Sequence, residues 1–184
     1  MTNTYDKGRL NLPFVGIATF GKRPYAENWA DLNADVAIIG APFDAGTQWR
    51  SGARFGPKAV RDGSMLFSFG HAGAYDHEDD VTYLPETVRI VDMGDADIIH
   101  TDTEGSHANI ETAVRAALAA DALPVTIGGD HSINIPCIRA FDGEGDAIYS
   151  RSTPISTLSM NAMACGTGTA TRCDEQQSTT MSRA

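Results

Sequence analysis

Gly128-Gly129-Asp130-His131-Ser132 places two side-chain-free residues, a carboxylate, an imidazole and a hydroxyl in consecutive positions. Pro124-Val125-Thr126-Ile127 before them predicts a strand, and Ser132 to Phe141 predicts a helix with Pro136 in its first turn. The segment therefore falls where a strand hands over to a helix, and in open α/β sheets ligands gather just beyond the carboxyl ends of the strands. A neutral imidazole at such a rim is a good ligand for a divalent transition metal, so His131 is the candidate metal ligand. Taken alone, the same residues equally suit a loop histidine bonded to a carboxylate for structural reasons.

Other reactive side chains have plainer readings. Arg50, Arg54 and Arg61 are expected to pair with surface carboxylates, because a cationic substrate would avoid them. Asp92 and Asp95, at a strand end, suit turn and cap roles better than metal ligation. His71, His77, His100 and His107 are scattered and are assigned to surface or core positions; the helical spacing of His107 and Glu111 is too little for a metal site. Cys137 reads as a small buried hydrophobe.

The elements that must position these groups follow an α/β rhythm. Asp35 to Gly40 predicts a buried strand, Gly56-Pro57 a helix start, and Val88 to Met93 a second strand ending at Gly94. Ser106 is placed as the N-cap of a helix through Ala120, with Ile110, Val114 and Leu118 on one face. Strand–helix alternation of this kind predicts a parallel sheet covered by helices on both faces. A chain of 184 residues suits one domain, and a net charge of −10 repels phosphate backbones, which argues against a nucleic-acid partner. No apolar run reaches the ~18–20 residues of a membrane span, and Met1 to Phe14 lacks a signal-peptide layout. Cys137, Cys165 and Cys173 are too few for a disulfide framework or a zinc site, so the expectation is a soluble cytoplasmic protein with no membrane partner.

Several separated segments resemble the ureohydrolase family of agmatinases, guanidinobutyrases and arginases, and in particular its agmatinase-like branch. They are Gly40-Ala41-Pro42-Phe43-Asp44, Gly46-Thr47, Arg50 to Pro57, Asp92-Met93-Gly94-Asp95 and Gly128 to Ser132, in the family's order over roughly residues 10–149. The resemblance implies a three-layer arginase-like α/β fold and homo-oligomers of the intact protein. It also implies hydrolysis of a guanidino compound, agmatine or a related guanidino acid, to an amine and urea. The implied mechanism uses two Mn²⁺ ions bridged by hydroxide, the ions lowering the pKa of bound water. In the family one histidine comes from the segment matched by His131, the next strand supplies an Asp-Ala-His-x-Asp cluster, and a later Asp-x-Asp completes the set. Side-chain selectivity would lie in loops beyond the matched part, so the substrate is left open.

The Asp-Ala-His-x-Asp cluster is missing. After Asp146-Ala147-Ile148-Tyr149 the text changes: of the 35 residues 150–184, 13 are Ser or Thr and none is Val, Phe, Tyr or Trp. Such a segment cannot offset its own ordering entropy, so 150–184 is expected to be a disordered tail after a folded part at 1–149, and Gly166 to Thr169 is not read as a phosphate loop. Thr153-Pro154-Ile155-Ser156-Thr157 fits codons ACG-CCC-ATC-TCG-AC, which one base out of register spell GAC-GCC-CAT-CTC-GAC, or Asp-Ala-His-Leu-Asp. Restoring a G ahead of Ser150-Arg151-Ser152 likewise yields Val-Gln-Ile, and Leu158 to Thr171 rereads as Phe-Val-Asp-Glu-Arg-His-Gly-Val-Arg-Tyr-Gly-His-Gly-Asn. The tail is therefore read as out-of-frame translation following a one-base loss near Tyr149/Ser150. On that reading the chain retains His131, lacks the remaining ligands, and is inactive and unstable, with a sheet edge left bare after residue 149. The alternative is a non-catalytic remnant that acts as an assembly or binding partner of intact subunits.

Overall fold

In a computed structural model, residues 13–67, 73–143, 148–152 and 160–164 are described, the last two segments by their backbone alone. His71, Cys165, Cys173 and Gly166 to Thr169 lie outside the described residues. Three parallel strands form the centre: β1 (Val36–Ala41), β4 (Ile90–Asp95) and β5 (Leu123–Gly128), with β1 in the middle. The register sets Val36 opposite Ile90 on one side and Leu123 on the other, and carries Ala41 to Gly128 at the carboxyl end. A short exposed hairpin of β2 (Ala74–Asp76) and β3 (Val81–Tyr83) projects between β1 and β4 in sequence and forms its own sheet.

Helices α1 (Gly56–Ser64), α2 (Thr103–Ala119) and α3 (Asn134–Arg139) cover the faces. The chain moves from β1 to β4 in one direction and from β4 to β5 in the other. Right-handed crossovers then put α1 and α2 on opposite faces. The core divides accordingly. Ala37, Ile39, Ala41 and Met93 pack with Ile110, Val114 and Ala117 of α2 and Cys137 of α3, while Ile38, Ile90 and Ile127 pack with Val60 of α1 and with Phe20. Ile110 and Val114 are fully buried, each contributing about 1.5–3 kcal/mol. Three layers result, as the resemblance implies. Cys137 is the buried residue the sequence suggests, and burial pushes its thiol up to about 11. Among the described residues no helix is long and apolar enough to cross a membrane.

One expectation needs correction. The cap of α2 is Asp102, whose carboxylate accepts from Gly105 N at 2.9 Å; Ser106 lies inside the helix, its hydroxyl donating to Asp102 O. Asp102 wins because it stands one turn earlier with an extended backbone that lets its side chain fold over the open N–H groups. Beyond the parallel centre, β6 (Ile148–Ser152) and β7 (Met160–Ala164) extend the sheet in the order β4-β1-β5-β7-β6, both new pairings being antiparallel. The outer edge of β5 is thus paired with β7 at Val125 to Ile127. An unpaired edge accepts any extended backbone, whatever its side chains.

Candidate functional site

Because Ala41 and Gly128 are register partners, the loops leaving β1 and β5 start side by side at the carboxyl edge. Asp130 N donates to Phe43 O at 2.7 Å, closing the seam between them. A Cβ on Gly129 would stand 2.2 Å from Phe43 O and 2.5 Å from Ala41 O, backbone atoms that cannot give way, so only glycine fits. Asp130 then caps the 3₁₀ turn His131–Ile133: its Oδ1 accepts from Ser132 N at 2.8 Å and from Ser132 Oγ at 2.5 Å. Its Oδ2 accepts from Gly46 N of the β1 loop at 2.6 Å. His131 opens the turn and is exposed on the rim of this seam.

Beneath the seam lies a residue that the sequence leaves in an unassigned core or surface role. His107 of α2 is buried, its Nε2 is 3.5 Å from Ser132 Oγ, and its ring meets that of Phe43 edge-on with centroids 5.0 Å apart. Burial lowers the imidazole pKa, the Asp130 carboxylate works against that, and Arg139 adds to it. The available signal was position: His107 falls on the stripe of Ile110, Val114 and Ala117, a polar ring on a face otherwise apolar. Glu111 instead pairs with Arg115 at 2.9 Å, and His77 and His100 are exposed.

The rest of the β1 loop is clamped by Asp44. Its buried carboxylate accepts from Gly52 N at 2.7 Å, Arg54 N at 3.3 Å and Arg54 Nε at 2.7 Å, closing a ring of backbone that carries exposed Trp49 and Arg50. The Arg54 guanidinium holds the Asp44 carboxyl below its usual range, helped by the Gly52 and Arg54 amides against the opposing effect of burial. A depressed carboxyl contributes stability above its unfolded pKa of about 3.9, and that contribution is lost as pH falls through the lower folded value. Asp44→Asn is expected to cost about 1.5–3 kcal/mol and to hasten tryptic cleavage at Arg50, and to remove that part of the acid limb of the stability curve. Urea titrations between pH 3 and 7 with timed trypsin digests check it; unchanged cleavage at Arg50 would rule out the clamp.

Arg61 is likewise not at the surface. Its guanidinium grips Asp92 through Nε at 2.8 Å and Nη2 at 2.9 Å, Asp95 through Nη1 at 2.5 Å, and Gly94 O at 2.9 Å. Burial alone would lower the Arg61 pKa, but Asp92 and then Asp95 more than offset it and raise it. Asp92 also accepts from Phe20 N and Gly94 N, so its turn role is real but secondary to the buried ion pair. A shallow cleft of about 150 Å³ beside this network is lined by Thr19, Tyr25, Arg61, Asp92 and Asp95.

These pairings decide whether a two-ion centre fits. Among the described residues no three His, Cys, Asp or Glu converge on one point. The carboxylates near the carboxyl edge already have partners: Asp130 with Ser132 and Gly46, Asp44 with Arg54, Asp92 and Asp95 with Arg61. Hard divalent cations need several oxygen donors, so the described residues do not fit a manganese pair, and residues 153–159 lie outside them.

Comparison with known proteins gives a consistent result. The sequence model described as the arginase family matches residues 34–149. Guanidinopropionase of Pseudomonas aeruginosa is 38% identical over 131 residues, covering 71% of this chain and 39% of that protein. The structure of proclavaminate amidino hydrolase from Streptomyces clavuligerus aligns with a TM-score of 0.60 at 30% identity, covering 72% of this chain and 41% of that one. A hypothetical agmatinase from Burkholderia thailandensis aligns at 0.59 and 27% identity, covering 72% and 40%. The chain thus spans about two fifths of the length of the relatives it matches.

Proposed function

The chain belongs to the arginase family, and from that premise we propose that it carries the first part of a manganese-dependent hydrolase that converts a guanidino compound to an amine and urea. Agmatine or a guanidino acid is the substrate class, and His131 is one ligand of the metal centre. The observation that carries this reading is the seam at the carboxyl edge of β1 and β5, built around Asp130 with His131 exposed on its rim. Similarity to a guanidinopropionase and to an amidino hydrolase supports the chemistry.

The misfit between the described carboxylates and a two-ion centre has a source in the text of the chain. Residues 150–171 are read out of frame, so the missing Asp-Ala-His-Leu-Asp lies one base out of register at Thr153 to Thr157. The 184-residue product is therefore inactive, and activity belongs to the frame-restored protein. The test is to sequence genomic DNA and transcript across codons 145–160. The expected result is a G ahead of codon 150 in the DNA, or a DNA lacking it whose third bases nevertheless spell the shifted motif. Third bases that do not spell Asp-Ala-His-Leu-Asp in the neighbouring frame would overturn the reading.

A further inference from the structure

We propose that His107 is a positioning residue, a strut whose buried ring braces both loops of the seam and thereby holds the turn that carries His131. The inference deepens the hydrolase reading and rests on it for its purpose, but its geometry stands on contacts within this chain. The ring meets Phe43 of the β1 loop edge-on at 5.0 Å, and Nε2 faces Ser132 Oγ of the β5 loop at 3.5 Å.

The direction of the hydrogen bonds follows from counting protons. A serine hydroxyl has one proton to give. Ser132 Oγ gives it to the Asp130 carboxylate at 2.5 Å, so toward His107 it offers only lone pairs. The contact is attractive only if Nε2 carries a hydrogen. The chain then runs from Nε2–H to Oγ and from Oγ–H to Asp130 Oδ1, while Asp130 Oδ2 accepts from the N–H of Gly46. One buried ring on a core helix thus sets the hydroxyl, the hydroxyl sets the carboxylate, and the carboxylate ties the two loops. The fit leaves little slack: a Cβ on Gly46 would be 2.8 Å from Asp130 Oδ2 and 3.4 Å from Ser132 Oγ. A residue chosen for volume alone would have been apolar, since an imidazole buried against Phe43 loses hydration that only a partner repays.

The test uses the 184-residue chain with ¹⁵N-labelled histidine. The expected spectrum shows His107 neutral at pH 7 with its proton on Nε2. His107→Phe keeps the ring packing and deletes the donor; it is expected to lower the exchange protection of the Gly46 amide roughly three- to tenfold and to shift the His131 ring signals. His107→Gln, which restores an N–H donor, recovers most of the protection, a rescue that a purely space-filling role would not show. Ser132→Ala cuts the same chain outside the core and decides the matter where His107→Phe does not fold. The same variants in the frame-restored protein give the same pattern. A proton on Nδ1 alone, or Gly46 protection and His131 signals unchanged in both His107→Phe and Ser132→Ala, overturns the proposal. Neither readout involves urea release, so a braced seam in a frame-restored protein that hydrolyses nothing would sink the hydrolase reading and leave the strut standing.

Discussion

Restoring one base ahead of codon 150 is expected to convert a product that releases no urea into one that does so in the presence of manganese, with turnover on the order of 10 per second. The argument is one of donor groups. The described residues offer His131 at the carboxyl edge, but every nearby carboxylate is held by a guanidinium or by backbone and hydroxyl donors. Freeing Asp92 or Asp130 for a cation would break a buried pair or open the seam. The shifted text at 153–157 supplies two carboxylates and an imidazole immediately after a strand, which is where a parallel neighbour of β5 would deliver them beside His131. Both products should be assayed for urea from agmatine, guanidinopropionate and guanidinobutyrate, with and without manganese. Urea from the 184-residue chain, or none from the restored protein on any of the three, would refute the assignment. A restored protein that prefers an acid over agmatine would fix the substrate class.

Arg61→Met is expected to destabilise the fold by about 3–5 kcal/mol, a large share of the roughly 5–15 kcal/mol that domains possess. Arg61 and Asp92 side chains are 9% and 1% exposed, so removing the cation strands a carboxylate where water cannot reach it. The site is built for the pair: a Cβ on Gly40 would fall 1.7 Å from Asp95 Oδ1, so glycine on the central strand makes room for the network. Arg61→Lys keeps the charge but cannot span Nε, Nη1 and Nη2 contacts at once, and should recover less than half the loss. Arg61→Met with Asp92→Asn should be less damaging than Arg61→Met alone, because the stranded charge is gone. Urea denaturation of the series settles the point; a loss below about 1 kcal/mol for Arg61→Met, the value of an exposed pair, would show the network to be solvated.

Much of the architecture was legible because it is written in short-range patterns. The apolar runs at Asp35 to Gly40 and Pro124 to Ile127 suit buried strands and lie in β1 and β5, and the Gly-Pro at 56–57 suits the helix start found at α1. The spacing of Ile110 and Val114 marked the buried face of α2. Where reading failed, competition between neighbours was the cause. Asp102 and Ser106 both suit an N-cap, and which one serves depends on where the chain leaves β4. The covering of the β5 edge by β7 had no signal in the residues, because ladder hydrogen bonds ignore side chains.

The sequence by itself determined the family, the strand–helix order and the position of the glycine turn before His131. All of these depend on residues close together along the chain. Tertiary structure alone decided which charges are already engaged. Arg61 finds Asp92 31 positions away, His107 meets Ser132 across 25, and Asp130 ties Gly46 across 84. Each pairing exists because β1 lies between β4 and β5, which brings three loop ends to one edge. A carboxylate has a limited number of lone pairs, and those already holding a guanidinium or an N–H cannot also hold a cation. The folded neighbourhood, more than residue type, therefore decides which acids build this site and which could hold a cation.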